Sequence, residues 1–143
     1  MLLKSFEWFH HGDKSSWLFR SFEPSNLINM SKNLDILIAI DDESPGAEKI
    51  IGYISSSSSL FGAAYIPTVA VDPAYQRRGL GQKIVEAKLK ILKSQGMRKA
   101  WLLVTSTNTR AIEFYLKNSF VIEGFLRDHT GPGRDEIVFS KFL

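Results

Sequence analysis

The sequence predicts a mixed α/β fold: a mainly antiparallel sheet of six or seven strands, with one parallel pair and helices on both faces. Three observations predict it. Short apolar runs recur between turn signals along residues 36–71 and again from Phe120 to the end, which is the pattern of consecutive strands. Between Gly79 and Gln95 the apolar period lengthens to that of a helix. That helix lies between two strand-like runs, and a strand–helix–strand succession makes a crossover, so 65–71 and 99–105 are expected to run parallel. At 143 residues the chain is expected to form one domain, residues 1–143.

The elements follow in order. In residues 1–34, "LLKSFEWF" is a candidate strand, and "DKSSWLFRSF" and "EPSNLINMSKN" are candidate short helices, the second with Pro24 in its first turn. "ILIAI" (36–40) and "KIIGYISSS", separated by the polar "DDESPGAE", predict a hairpin. The run Ser55–Ser59 reads as a strand end passing into a turn near Gly62. "AAYIPTVAV" (63–71) is a third strand, and Pro67 inside it implies an edge position or a bulge. In the long helix Leu80, Ile84, Ala87 and Ile91 form an apolar stripe, widened by Val85, Leu89 and Leu92. Lys83, Glu86, Lys90 and Lys93 make the opposite, solvated face, and Gly96 ends the helix. "KAWLLVT" (99–105) is a buried strand. A second helix follows, capped by Thr107 or Asn108 and apolar at 111, 112, 114, 115 and 116. "FVIEGFL" and "EIVFSKFL" close the chain as a hairpin around "TGPG".

Composition narrows the function classes. Without cysteine there are no disulfides, thiolate metal ligands or cysteine nucleophiles, which fits a cytoplasmic setting. His10, His11 and His129 show no metal-ligand spacing with a carboxylate, so no metal is expected. No apolar run reaches the roughly 18 residues of a membrane span, and the N-terminus lacks a signal-peptide pattern, so no membrane partner is expected. A net charge of +3 biases the protein mildly towards anions. "KLKILK" and "RRGLGQK" are basic but carry no aromatic platform, so no nucleic-acid partner is expected.

The stretch with chemistry in it is "VDPAYQRRGLGQK" (71–83). Arg77 and Arg78 precede Gly79 and Gly81 where a helix begins. A helix N-terminus offers unpaired N–H groups and partial positive charge, and glycines let a phosphate approach the backbone. A dinucleotide fingerprint would need glycine at position 84, which is Ile84, and a Walker loop would need Gly-Lys-Ser/Thr where Gly81-Gln82-Lys83 stands. By itself the pair of glycines is equally a plain strand-to-helix turn.

The longer segment "VAVDPAYQRRGLGQKIV" resembles the central motif of the GCN5-related N-acetyltransferases, Gln/Arg-x-x-Gly-x-Gly/Ala, with Gln76, Gly79 and Gly81 in its fixed places. "STNTRAIEFYLKNSF" resembles the second motif of that family through Asn108, Ala111, Phe114, Tyr115 and Phe120. The resemblance runs from about Tyr65 to Phe120 and continues weakly through the final hairpin, where it is nearest to the ribosomal-protein N-terminal alanine acetyltransferases. Residues 1–34 lend it nothing.

The resemblance implies an acetyl-CoA-dependent acyltransferase whose donor lies in a cleft between splayed strands 65–71 and 99–105. It implies that the pantetheine arm pairs with Val69, Ala70 and Val71. The pyrophosphate would rest on the backbone of Arg77, Arg78, Gly79, Leu80, Gly81 and Gln82, next to Gln76. It further implies that Asn108 contacts the cofactor arm, that the Val71 N–H stabilises the oxyanion, and that Tyr115 protonates the leaving thiolate. A tyrosine near its usual pKa of about 10 would suit a thiol near about 8.5. Two departures stand out. Asn118-Ser119 replaces the glycine that usually precedes the Phe, and Leu103 stands where these enzymes often carry a Glu base. The general base is open among Asp128, His129, Glu136 and a water chain. The acceptor is a primary amine, at a protein N-terminus or on a small molecule; a catalytically silent acyl-CoA-binding module is the other reading. Oligomeric state is open.

Overall fold

The computed structural model describes residues 34–41 and 49–143. Its strands are β1 (Asp35–Asp41), β2 (Lys49–Ser58), β3 (Ala63–Val71), β4 (Lys99–Thr105), β5 (Val121–Leu126) and β6 (Glu136–Phe142). Its α-helices are α1 (Leu80–Ser94) and α2 (Thr109–Lys117), with a one-turn 3-10 helix at Pro73–Tyr75. The strands form one mixed sheet in the order β1-β2-β3-β4-β6-β5. The pairings β1–β2, β4–β6 and β5–β6 are antiparallel, and β3–β4 is the expected parallel pair. The strand and two helices read in residues 1–33 lie outside the described residues, and with them the helices expected on the second face.

The described residues gather into two compact units, and both β3 and α1 contribute to each. The first unit comprises residues up to Ser57 together with Thr68–Lys88. Its hairpin pairs Asp35 with Ser56 through Asp41 with Lys49, with one irregularity at Ala39/Ile40. A Cβ on Gly52 would stand 2.7 Å from Ile84 Cδ1 and 2.9 Å from the Ala70 carbonyl, so only glycine lets helix, β2 and β3 approach this closely. The serine run is a strand end passing into a turn, as read: β2 runs to Ser58, and Ser55 and Ser56 are fully buried in it.

The stripe of α1 is also rotated from the expected one. Ile84, Val85, Leu89 and Leu92 are buried as read, but Ala87 is exposed and Lys88 takes the inward position. A lysine can be buried there because its ammonium is met twice. Nζ lies 2.9 Å from the Asp35 carboxylate and donates to the Asp35 carbonyl at 3.0 Å. The helix ends as expected, with Gly96 at φ +83° and the N–H groups of Gly96 and Met97 returning to the carbonyls of Lys93 and Leu92.

The second unit comprises Ser58–Pro67 and Leu89–Leu143. The parallel ladder has three rungs, Ala63–Lys99, Ala64–Ala100 and Tyr65–Trp101. Pro67 lies two residues past the last rung, so the donor it lacks is not needed there. β4 and β6 pair without a slip from Lys99–Phe142 to Thr105–Glu136, and this regular register separates two faces. Ala100, Leu102, Val104 and Phe139 are buried on one face, where Tyr115 packs against Phe139 and also against Phe120. Trp101, Leu103 and Thr105 point to the other, where Tyr65 stacks on Trp101 at 4.4 Å.

Candidate functional site

In the first unit the candidate residues form one unbroken stretch, Val69 to Gln82. The Asp72 N–H donates to the Ile51 carbonyl at 2.8 Å, so even-numbered residues at this end of β3 bond to β2. The backbone groups of Val69 and Val71 therefore point away from β2, and those of Ala70 point towards it. The Gln76 side chain donates to the Val71 carbonyl at 2.9 Å. That amide therefore holds the end of β3 in place.

Beyond β3 the chain turns sharply. Buried Asp72 accepts from the Ala74 N–H at 2.9 Å, and Pro73 opens the short 3-10 helix. The Tyr75 hydroxyl donates to the Asp41 carboxylate, tying the turn to β1. Arg78 lies over the Tyr75 ring at 5.8 Å. Arg77 at φ +60° and Gly79 at φ +78° both adopt the left-handed region. Left-handed residues alternating with others turn successive N–H groups to one side, forming a concave anion nest. The first helical bond of α1 runs from the Lys83 N–H to the Gly79 carbonyl at 3.1 Å. Among the described residues, the N–H groups of residues 77–82 find no backbone acceptor. A Cβ at Gly79 would meet nothing within 4 Å, so the space beside it is open. These features fit a pyrophosphate group. The spacing of glycines signalled the turn, but nothing in the sequence marked Arg77 as left-handed.

In the second unit, Asn108 caps α2: its Oδ1 accepts from the Ala111 N–H at 3.1 Å, which leaves the amide nitrogen for other contacts. Tyr115 is buried among Phe114, Phe120 and Phe139, with ring centroids 5.1, 5.3 and 5.9 Å away. Burial pushes its phenol above the ordinary tyrosine range, so the gap to a thiol is wider than the sequence implied. The turn after α2 is made by Ser119 at φ +63°, while Asn118 stays right-handed and ties its side-chain amide to the Phe114 carbonyl at 2.8 Å.

The candidate bases separate clearly. Asp128, at φ +50°, is an exposed turn residue whose Oδ1 accepts from the Gly133 N–H. His129 is exposed beside it. Glu136 is 5% exposed, and its Oε1 accepts from the hydroxyls of Thr105 at 3.1 Å and Thr130 at 3.0 Å. This Glu–Thr–Thr cluster was invisible in the sequence because it depends on the β4–β6 register. Among the described residues, no cluster of His, Asp and Glu could hold a metal ion, and no helix is long and apolar enough to cross a membrane.

Comparison with known proteins places the chain among acetyltransferases. Over 121 residues the chain is 27% identical to mycothiol acetyltransferase of Corynebacterium glutamicum, covering 83% of this chain and 38% of that protein. Over 72 residues it is 35% identical to the ribosomal protein bS18 alanine N-acetyltransferase of Escherichia coli, covering 49% of each. The chain thus spans about half or less of the length of these curated relatives. PaiA N-acetyltransferase from Thermoplasma acidophilum, solved in complex with coenzyme A, superposes with a TM-score of 0.74 at 25% identity, covering 99% of this chain and 88% of that one. The model of the acetyltransferase (GNAT) family matches residues 3–120, which extends the likeness upstream into the segment that carried no motif. With that match over most of its length, the chain belongs to the GNAT acetyltransferase family.

Proposed function

We propose that this protein is an acetyl-CoA-dependent N-acetyltransferase acting on a primary amine, and that the amine is a protein N-terminus. The observation that carries the reading is the nest at residues 77–82, with two left-handed residues and a row of N–H groups at the mouth of α1. The N–H groups of Arg77, Arg78, Gly79, Leu80, Gly81 and Gln82 would hold the pyrophosphate of acetyl-CoA, and the outward edge of Val69 and Val71 would hold the pantetheine arm. Bound acetyl-CoA supplies an activated acetyl thioester. The Val71 N–H, positioned through the Gln76 bond to its own carbonyl, donates to the carbonyl oxygen as charge develops there. Losing such a donor typically costs about 10²–10³ in rate. Asn108 caps α2 and offers its amide nitrogen to the arm.

Tyr115 acts as the acid. Its buried phenol is always protonated at neutral pH, and because burial makes it a weaker acid, its proton moves in concert with departure of the sulfur rather than before it. A peptide N-terminus is favoured as acceptor because the bS18 enzyme shares 35% identity with this chain over 72 residues.

The test is to incubate the protein with acetyl-CoA, a panel of short peptides differing in their first residue, and a panel of polyamines and aminoglycosides. Mass spectrometry should find acetyl on peptide α-amines. Acetylation of small amines alone would move the acceptor to that class. Tight binding of acetyl-CoA with no transfer would make the protein an acyl-CoA-binding module instead.

A further inference from the structure

We propose that Glu136 is the proton acceptor for the substrate amine, an assignment that rests on the N-acetyltransferase reading. Glu136 begins β6 opposite Thr105, the last residue of β4. It shares its face of the sheet with Trp101, Leu103 and Tyr65, while Tyr115 packs on the Phe139 face. Residues 136 and 139 differ by three along an unslipped strand, so they point to opposite sides. A proton donor and a proton acceptor are thus carried on the two faces of one strand pair.

The carboxylate is built to stay in place. Both threonine hydroxyls converge on Oε1, and neither bond uses Oε2. Thr105 and Thr130 are themselves exposed, so the carboxylate lies just beneath the surface. Its charge is felt locally: Tyr65 has its phenol raised first by burial and then by Glu136. A buried carboxylate held by two hydroxyls suits an alkylammonium group, which can donate to Oε2.

The step balances as follows. The ammonium loses one proton to Oε2, and the freed lone pair forms the C–N bond as the C–S bond breaks. The sulfur keeps the bonding pair and takes the Tyr115 proton, the second proton of the nitrogen passes through water to restore Tyr115, and Glu136 returns its own to solvent.

The test compares two acceptors of unequal basicity. The first is the best peptide from the panel, whose α-amine has an ordinary pKa of about 8 and is mostly ammonium at neutral pH. The second is the same peptide with an aminooxy group in place of the α-amine; this group is neutral at that pH and needs no base before attack. Glu136→Gln should lower turnover of the first by about 10² or more and of the second by less than about fivefold. Acetyl-CoA affinity and melting temperature should be unchanged. Equal losses on both acceptors, or no loss on either, overturn the assignment while leaving N-acetyl transfer intact. Wild-type protein that transfers acetyl to neither overturns the N-acetyltransferase reading and the assignment with it. Should Glu136→Gln fail to fold, the same ratio is read from Glu136→Asp, which keeps the charge but withdraws it by one methylene. There the loss should again be larger for the α-amine, and equal losses overturn the proposal.

Discussion

The loop from Val71 to Gln82 and the layer around Tyr115 and Glu136, the two parts of the proposed site, are built in different ways. The first uses backbone: N–H groups gathered by left-handed residues, with Gln76 and Asp72 holding the turn. The second uses side chains, positioned by a helix cap, an aromatic cluster and a strand register. Side-chain removal should therefore silence the second while sparing the first, whereas a change of backbone freedom should do the opposite.

The largest effect is expected from Tyr115→Phe. The ring still packs against Phe114, Phe120 and Phe139, so melting temperature and CoA affinity should hold, while turnover falls by about 10²–10⁴. Turnover within about threefold of wild type would make Tyr115 a packing residue and leave protonation to water. The raised phenol adds a pH signature. It favours the neutral form in the folded state, so its contribution to stability is complete below about pH 10 and declines above it. Thermal melts of wild type and Tyr115→Phe between neutral and strongly alkaline pH should therefore diverge only at the alkaline end.

The buried ammonium of Lys88 sharpens the comparison within the first unit. Lys88→Met keeps the volume, and the Asp35 side chain is already 54% exposed to water; the cost should be under about 1.5 kcal/mol. Asp35→Ala leaves the buried ammonium, among the described residues, with only the Asp35 carbonyl in reach, and should cost more, roughly 1–3 kcal/mol. Denaturant unfolding of the two variants checks the order, and the reverse order would mean that the ion pair does not explain the burial.

Much of the fold could be read in advance because its signals are local. β3 and β4 match their sequence runs residue for residue, and Gly96 and Asn108 mark the end of α1 and the start of α2. What could not be read depends on partners distant in sequence. Lys88 looks like any helix-surface lysine until Asp35 pairs beneath it, and Ala87 looked like core because hydropathy alone ranks it above lysine. Glu136 gains its two hydroxyls only once Thr105 and Thr130 are brought to it. The nest was half legible: glycine announces freedom of φ, but Arg77 holds a left-handed conformation that its identity does not advertise.

A smaller effect is expected at Ser119. Its φ of +63° strains a residue with a Cβ, and the turn it makes returns the Phe120 N–H to the Tyr115 carbonyl at 3.0 Å. Ser119→Gly should stabilise the protein by up to about 1 kcal/mol without changing turnover. Destabilisation would mean that the serine side chain contributes more than its strain costs.

The central claim, that acetyl-CoA is held by the backbone of residues 77–82, is tested most directly by amide NMR. Labelled wild-type protein titrated with CoA should show its largest N–H shifts at Arg77–Gln82. Gly79→Val, which forces a β-branched residue to φ +78° where there is open space but no easy conformation, should keep a folded spectrum and lose those shifts, together with at least about tenfold in affinity, or about 1.4 kcal/mol. Saturable CoA binding that leaves the amides of residues 77–82 unmoved, or unchanged affinity in folded Gly79→Val, would contradict the account.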